Sequence, residues 1–288
     1  MKWMKYRLVY FAISALVIAV GVFSLLKWGL AFGVDFKGGA ILEYRFNTDV
    51  SEEKLTSLIE GTKAQVASVQ KTGNGSYIIR LSPISIEQKE IIGVLLEKNF
   101  EAQELRFENV GPSIGPELVK KTLYALIISA TAILLWVAIQ FKSIKFGASA
   151  VLAMFHDSVV VIGTYSFLGH FFGAEVDFLF VTALLTILSF SVHDTIVVYD
   201  RIRESHKKLG GSVTELADKA ISETMVRSLN NSFTIIFMLV ALLLLGGTTI
   251  RWFAATLLIG TVSGTYSSPF VAVPILVTWE EIQKKIKG

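Results

Sequence analysis

The sequence predicts a polytopic α-helical membrane protein with six transmembrane helices and an α+β, ferredoxin-like extracytoplasmic domain between helices 1 and 2. Hydrophobic residues make up 52% of its 288 residues and charged ones only 18%, and the mean hydropathy is +0.58. This composition is too apolar for a soluble domain of that length. Long uncharged runs recur along the chain, as membrane spans require. The stretch 29–120 is instead polar and patterned as short strands and helices.

The first segment, 1–28, begins with Lys2, Lys5 and Arg7 and continues into the uncharged run Leu8–Leu26. A secretory signal peptide starts in the same way, but this run is long and lacks an obvious small-residue cleavage site. We therefore expect an uncleaved transmembrane helix.

The second segment, 29–120, is predicted to be a water-facing domain. Apolar periodicity and turn signals predict strands at 40–46, 65–70, 76–81 and 102–110, and helices at 51–60 and 85–98. The order strand–helix–strand–strand–helix–strand is typical of a ferredoxin-like sandwich. Because the segment contains no phosphate loop, metal-ligand cluster or catalytic triad pattern, we expect a binding or mechanical module, not an enzyme.

Two Gly-Pro steps, formed by Gly111, Pro112, Gly115 and Pro116, precede the next apolar run. Such steps disfavour helix and suit a defined bend between domain and membrane. The segment 111–116 is therefore a candidate hinge, with a plain surface linker as the alternative.

The third segment, 121–288, contains the other five predicted helices. Their apolar runs are 122–140, 146–172, 178–199, 232–245 and 252–277. Between the third and fourth of these lies a polar cytoplasmic loop, 200–226, in which 213–226 is predicted to be an amphipathic helix on the membrane surface. The run 232–245 is too short to cross a bilayer, so its helix is expected to start near Arg227 and to take Asn230 and Asn231 into the membrane.

Gly260 and Gly264 give the last run a face of small residues that allows close helix packing.

Basic residues determine the predicted orientation. They concentrate in the N-terminus, the turn at 142–145, the loop 200–226 and the C-terminal tail, so these parts are placed in the cytoplasm and 29–120 outside. The net charge of +3 is spread over these boundaries and does not indicate nucleic-acid binding. The chain has no cysteine, which excludes disulfides and thiolate chemistry.

Two ionisable pairs, His156-Asp157 and His193-Asp194, lie inside predicted spans. Ionisable groups in a membrane are costly and commonly mark ion paths. At about 1.5 Å per residue, Asp157 lies roughly 18 Å from Lys145, near the bilayer midplane. The alternative to an ion path is a static ion pair between helices. A zinc site is disfavoured because adjacent residues on a helix point apart.

Asp194 lies beside a narrow polar stripe on the fourth span. The stripe recurs at helical spacing and comprises Thr182, Thr186, Ser189 and His193. Asp194 points about 100° away from it, towards another neighbour such as the fifth span. Arg227 is the charged group which that span offers, and a carboxylate that gains and loses an arginine partner would serve as a proton switch.

Several motifs together resemble the SecF branch of the SecD/SecF protein-export family, within the resistance-nodulation-division superfamily, over nearly the whole chain. They are GVDFKGG (33–39), ENVGPSIG (108–115), FHD (155–157), SVHDTIVVYDRIRE (191–204), GG (246–247) and GTYSSPF (264–270). The resemblance implies six spans with an outer domain after the first. It also implies use of the proton gradient, with a SecD partner beside the SecYEG channel, to pull unfolded preproteins across the plasma membrane of a bacterium or archaeon.

The resemblance further implies that Asp194 is the ion-coupling aspartate and Arg227 its partner. Asp157, His156, His193 and Asn230 are secondary candidates because they are polar groups in or at the edge of predicted spans. The implied coupling ion is H⁺, with Na⁺ as the alternative, and no cofactor is implied. Two departures put the ion and its path in question: His193 stands where the family usually has Asn, and 228–232 replaces a run rich in Thr and Ser. A passive scaffold of the export complex and a small-molecule exporter of the same superfamily are the rival functions.

Overall fold

A computed structural model describes residues 1–72, 75–111 and 114–287. The chain divides into two compact units, one formed by Phe32–Leu123 and the other by Met1–Ala31 with Tyr124–Gly288. From the sequence alone, the first of these units is placed at 29–120.

The described elements follow one another in a simple order. They are α1 (Arg7–Trp28), α2 (Val34–Lys37), β1 (Gly39–Arg45), α3 (Glu52–Glu60), β2 (Val66–Lys71), β3 (Ser76–Leu81), α4 (Ile86–Phe100), β4 (Gln103–Val110), α5 (Ile114–Phe141), α6 (Ile144–Phe172), α7 (Phe178–Leu209), α8 (Val213–Leu245), α9 (Gly247–Ser267), a π-helical segment (Ser268–Ala272) and α10 (Val273–Lys287). A 3-10 turn, Trp3–Tyr6, precedes α1. The short α2, inside the GVDFKGG motif, was not predicted.

The unit Phe32–Leu123 contains a four-stranded antiparallel sheet in the order β2-β3-β1-β4. Strand β1 lies at its centre, with Leu42 opposite Ile79 on β3 and Phe107 on β4. The hydroxyls of Ser51 and Ser85 accept hydrogen bonds from backbone N–H groups of the first turns of α3 and α4, and so define where these helices begin. The sequence predicts these elements well because alternation and capping are local signals.

The other unit is a bundle of long helices. Five helices in the described part of the chain are long and apolar enough to cross a membrane: Trp3–Trp28, Glu117–Phe141, Ile144–Phe172, Phe178–Lys208 and Val213–Leu245. The sixth predicted run, 252–277, is divided among α9, the π-helical segment and α10 and is not one of these five. Pro269 lies in the π-helical segment, where its missing N–H interrupts the regular ladder of helical hydrogen bonds.

The bounds predicted for the loop at 200–226 and for its helix at 213–226 were wrong, because most of this segment belongs to two long helices. Helix α7 continues to Leu209, and α8 is one helix of 33 residues from Val213 to Leu245. No Gly or Pro interrupts that range, so the polar half and the apolar half join. Ala217, Ala220 and Ile221 are fully buried, so one face of the polar half of α8 packs against other parts of the protein.

The prediction of a break across 111–116 was also wrong in part. Helix α5 begins at Ile114, so Gly115 and Pro116 belong to its first turn. A proline is tolerated there because the first N–H groups of a helix have no partner within it. Pro112, in the first Gly-Pro step, lies outside the described residues.

Glycines allow close contacts between helices of the bundle. A Cβ atom at Gly163 on α6 would overlap the backbone of Gly21 on α1, and one at Gly260 on α9 would overlap the side chain of Ile187 on α7. The small-residue face predicted for the last run therefore packs against α7. This contact brings the serines of α9 within reach of α6 and α7.

Candidate ion-coupling site

Asp157 lies at the centre of a buried polar cluster. Its side chain, on α6, is fully buried. The hydroxyls of Ser191 on α7 and Ser267 on α9 both donate to Oδ2 at 2.6 Å. Ser263 donates to Oδ1 at 2.6 Å, and the Nδ1 atom of His156 lies 3.1 Å from the same oxygen. We call Asp157, His156, Ser191, Ser263 and Ser267 the Asp157 cluster.

Helix geometry explains why these groups converge. Ser263 and Ser267 are one helical turn apart on α9 and therefore lie on the same face. Gly264 lies between them, and a Cβ atom there would be 3.4 Å from Ser191, so α9 and α7 meet at the level of the cluster. All three serines are buried, and a buried charge requires such donors to replace water.

Further hydroxyls extend along α7 beyond the cluster. The carbonyl of Ser191 accepts hydrogen bonds from Thr195 at 3.0 Å and from Ser268 at 3.2 Å. One turn on, the Tyr199 hydroxyl lies 2.6 Å from that of Ser149 and donates to the carbonyl of Ala272 at 3.2 Å. The π-helical segment supplies Ser268 and Ala272, so its irregular backbone is part of this polar path.

Asp194, on α7, lies in a different environment from Asp157. It is 3% exposed, and its Oδ2 atom is buried without a hydrogen-bond partner. Arg227 therefore makes no hydrogen bond to that oxygen. Arg227 is exposed and lines a pocket of about 300 Å³ with Asp200, Arg201 and Glu223.

Most of the other polar residues that the sequence placed near the site are exposed. The polar stripe on α7 faces outward, since Thr182, Thr186, Ser189 and His193 are all exposed. Asn230 and Asn231 on α8 are exposed as well. His156, by contrast, is 7% exposed and belongs to the Asp157 cluster.

The three serines of the Asp157 cluster were not identified as functional from the sequence. The sequence feature that could have indicated them is the spacing of Ser263 and Ser267, which lie one helical turn apart in a mainly apolar run. Nothing local indicates that both face Asp157, more than 100 residues away. Within the described residues, no group of three or more His, Cys, Asp or Glu side chains could bind a metal ion.

The chain is similar in sequence to known protein-export membrane proteins. Residues 91–282 match the family described as protein export membrane protein SecD/SecF, C-terminal. The protein translocase subunit SecF of Thermobaculum terrenum is 40% identical over 96% of this chain and 93% of its own length. That of Anaerolinea thermophila is 38% identical over 95% of this chain and 92% of its own.

A fused relative and its structure are also similar. The protein translocase subunit SecDF of Thermus thermophilus is 34% identical over 95% of this chain, which covers 38% of that protein. The crystal structure of SecDF from the same genus superposes with a TM-score of 0.85 at 32% identity, covering 98% of this chain and 39% of the other. The similarity thus corresponds to about two-fifths of the fused protein.

Proposed function

The chain belongs to the SecD/SecF family of protein-export membrane proteins, and we propose that it is an accessory subunit that uses the proton motive force to complete Sec-dependent preprotein translocation. The proposed setting is the plasma (inner) membrane of a bacterium or archaeon, with a SecD-like partner, the SecYEG channel, an unfolded preprotein and membrane lipid around it. The names of the relatives described above, each a protein translocase subunit, support the export role. The energy coupling is inferred from the polar groups in the helical bundle.

One observation carries the coupling proposal: Asp194 is buried inside a candidate membrane span with one carboxylate oxygen unpartnered. A buried charged oxygen without a donor costs free energy, and binding a proton removes that cost. Moving one elementary charge through 100 mV releases about 2.3 kcal/mol, which is enough to shift the equilibrium between two arrangements of the helices. Asp194 is therefore the proposed switch carboxylate.

Arg227 is the proposed conditional partner of Asp194. Its exposed side chain lines a polar pocket, where Arg201 is already paired with Glu204 at 2.6 Å and with Glu223. Arg227 itself makes no bond to the unpartnered Asp194 oxygen, so a second arrangement that joins them would create a new ion pair. Proton entry at Asp194 and pairing with Arg227 would then exclude each other.

Exposed polar groups support a SecD-like partner. His193 on α7 and Asn230 and Asn231 on α8 are exposed within candidate spans. Such groups are costly against lipid and favour cover by another protein. In the fused relative from Thermus thermophilus, the region similar to this chain is about two-fifths of one longer polypeptide, so a partner of the SecD type is the proposed cover.

The finer architecture is also proposed. α9, the π-helical segment and α10 together would form the sixth span, and the sheet order supports a ferredoxin-like class for the unit Phe32–Leu123. The positive-inside rule supports cytoplasmic termini and an extracytoplasmic sheet domain. Motion of that domain would be transmitted at Gly111 and the start of α5.

The experiment below also tests alternative functions. A passive scaffold needs no gradient, and a small-molecule exporter would transport its substrate without a preprotein. Within the Sec proposal, H⁺ is the expected coupling ion and Na⁺ the alternative. No catalytic role is proposed.

The decisive experiment uses the complex purified with a SecD-like subunit and reconstituted with SecYEG in vesicles. In Asp194→Asn the complex should assemble normally while stimulation of preprotein export by a proton gradient is lost. Arg227→Lys, which keeps the charge but not the planar fork, should reduce the stimulation. Glu215→Gln is the control, because Glu215 is exposed at the start of α8 and does not line the pocket of Arg227.

Wild-type stimulation in Asp194→Asn would refute the coupling site. If neither the wild type nor the variants respond to any gradient, the passive scaffold is supported. A response to a sodium gradient alone would replace H⁺ by Na⁺.

A further inference from the structure

Helices α1 and α6 lie side by side and run in the same direction. Their contacts keep one register, because three residues of α1 each meet the residue 142 positions further along the chain, as Ser24 meets Ser166. The three pairs are Gly21 with Gly163, Ser24 with Ser166, and Trp28 with His170. Residues three, four or seven positions apart share one face of a helix, so α1 has a defined face for α6.

These contacts are of the kind that binds membrane helices to one another. A Cβ atom at Gly163 would overlap the backbone of Gly21, so the two backbones meet there. The Ser24 hydroxyl donates to that of Ser166 at 3.1 Å, and both serines are buried. Small residues and hydroxyls at an interface favour close, specific association in a membrane. Helix α1 is therefore attached to α6 and is more than a lipid anchor.

The segment Gly29–Ala31, which follows α1, is held by the same part of the bundle. Ser166 donates to the carbonyl of Gly29 at 2.6 Å. The N–H group of Val176, in the turn between α6 and α7, donates to the carbonyl of Ala31 at 2.7 Å. Gly29 has φ +69° and ψ −161°, a conformation that only glycine adopts without strain. The backbone that leaves α1 is thus fixed at two carbonyls.

The turn between α6 and α7 is itself fixed to α6. The side chain of Tyr165 is buried, and its hydroxyl donates to the carbonyl of Glu175 at 2.9 Å. Val176, the next residue, therefore joins Ala31 to a turn whose position depends on both helices. One of them, α7, carries the proposed switch carboxylate.

We propose that α1, α6 and the segment Gly29–Ala31 form a mechanical link that transmits rearrangement of α6 and α7 to the sheet domain, Phe32–Leu123. The chain enters that domain at Phe32, directly after the carbonyls that the bundle holds. A flexible tether would leave those carbonyls to water. The inference rests on the proposed coupling at Asp194. It adds a second connection to the one at Gly111.

Hydrogen exchange of the Val176 amide tests the docking without any gradient. In the complex with a SecD-like subunit, Ser166→Ala removes the donor to the Gly29 carbonyl. Protection of the Val176 amide should then fall about 2- to 10-fold, the factor that one net hydrogen bond contributes. Thr164→Ala is the matched control and should leave it unchanged, because the Thr164 hydroxyl donates to the carbonyl of Val160 within α6.

An insertion tests the transmission. Two glycines placed between Ala31 and Phe32 lengthen the chain by about 7 Å and add a flexible joint. Stimulation of preprotein export by a proton gradient should be lost, while the SecD-like subunit co-purifies as before. The control is the same insertion between Asn47 and Thr48, two exposed residues of the sheet domain, and it should retain the stimulation.

Full stimulation with the insertion after Ala31 would overturn the proposal, and so would equal losses at the two insertion points. Unchanged protection of the Val176 amide in Ser166→Ala would show that Ser166 does not hold the segment. A wild-type complex without any response to the gradient would instead refute the coupling at Asp194, and the exchange measurement would still decide the docking.

Discussion

The two buried aspartates, Asp157 and Asp194, differ in their hydrogen bonds and not in their burial. Asp157 is fully buried and Asp194 is 3% exposed, and both belong to candidate membrane spans. Three serine hydroxyls donate to Asp157, and the His156 ring adds a fourth contact. Asp194 has one buried oxygen with no partner at all. Burial alone therefore does not distinguish a carboxylate whose oxygens are both hydrogen-bonded from one with an unpartnered oxygen, which is the property on which the proposed proton switch rests.

The difference has an energetic consequence. A hydrogen bond to a charged group contributes about 1.5–3 kcal/mol, so the Asp157 cluster joins α6, α7 and α9 through several such contributions. The unpartnered oxygen of Asp194 instead costs stability in the described arrangement. We expect substitution at the first site to destabilise the bundle, and substitution at the second to impair the proposed coupling.

The largest expected effect follows from removing the Asp157 carboxylate. Asp157→Leu leaves Ser191, Ser263 and Ser267 without their main acceptor, and a buried hydroxyl without a partner costs about 1–3 kcal/mol. The free energy of unfolding, measured by SDS titration in mixed micelles, should fall by about 3 kcal/mol or more. Asp194→Leu, the matched control, should remain within about 1 kcal/mol of wild type or exceed it. Equal losses in both variants would abolish the distinction between the two sites.

A smaller effect is expected from separating α9 from α7. A Cβ atom at Gly260 overlaps the branched side chain of Ile187, whereas one at Gly264 would lie 3.4 Å from Ser191, an ordinary contact. Gly260→Ala should therefore cost about 1–3 kcal/mol, and Gly264→Ala less. The same SDS titration measures both. A more stable Gly260→Ala would show that Ile187 moves aside and that the helices need not approach so closely.

Single serine substitutions should cost less again. Ser263→Ala and Ser267→Ala each remove one donor to Asp157, with an expected loss of about 1–2 kcal/mol in the free energy of unfolding. Ser158→Ala is the control, because the Ser158 hydroxyl donates only to the carbonyl of Met154 in its own helix. In the Asp157→Leu background, the serine substitutions should lose their effect. Losses that remain additive there would mean that the serines act through other contacts.

The smallest effect is expected at Asp49, an exposed carboxylate. It allows the two buried aspartates to be compared with one that is in contact with water. Lys71 Nζ at 2.6 Å and the Tyr77 hydroxyl at 2.7 Å donate to Asp49 and lower its pKa. Because the folded pKa is depressed, its contribution to stability is present above the unfolded value of about 3.9 and is lost as the pH falls through the folded pKa. The effect should be small, since exposed pairs are screened by solvent.

Hydrogen exchange of the Val50 amide, which donates to the Tyr77 hydroxyl at 3.3 Å, reports on this group. After correction for intrinsic rates, its protection should fall slightly on acidification in the wild type. In Asp49→Asn it should not change with pH. A pH dependence that persists in the variant would assign the effect to another carboxylate.

Prediction from sequence succeeded where the signal is local and failed where distant segments meet. Ser51 and Ser85 cap their helices and the strands alternate, so the sheet domain could be predicted almost element by element. The end predicted at 226 for the helix that begins at Val213 was wrong, because a change from polar to apolar composition was interpreted as a boundary between elements. A helix continues through such a change when no residue breaks it.

The sequence by itself determined that ionisable groups lie inside apolar runs, and it placed both His-Asp pairs there. Only the tertiary structure decided which carboxylate is partnered. Ser191 is 34 positions from Asp157, Ser263 is 106 and Ser267 is 110. Periodicity shows which residues share a face of one helix, but it carries no information about which faces of different helices meet. That choice depends on close packing at residues such as Gly260, where the approach of α9 to α7 brings its serines to the buried charge.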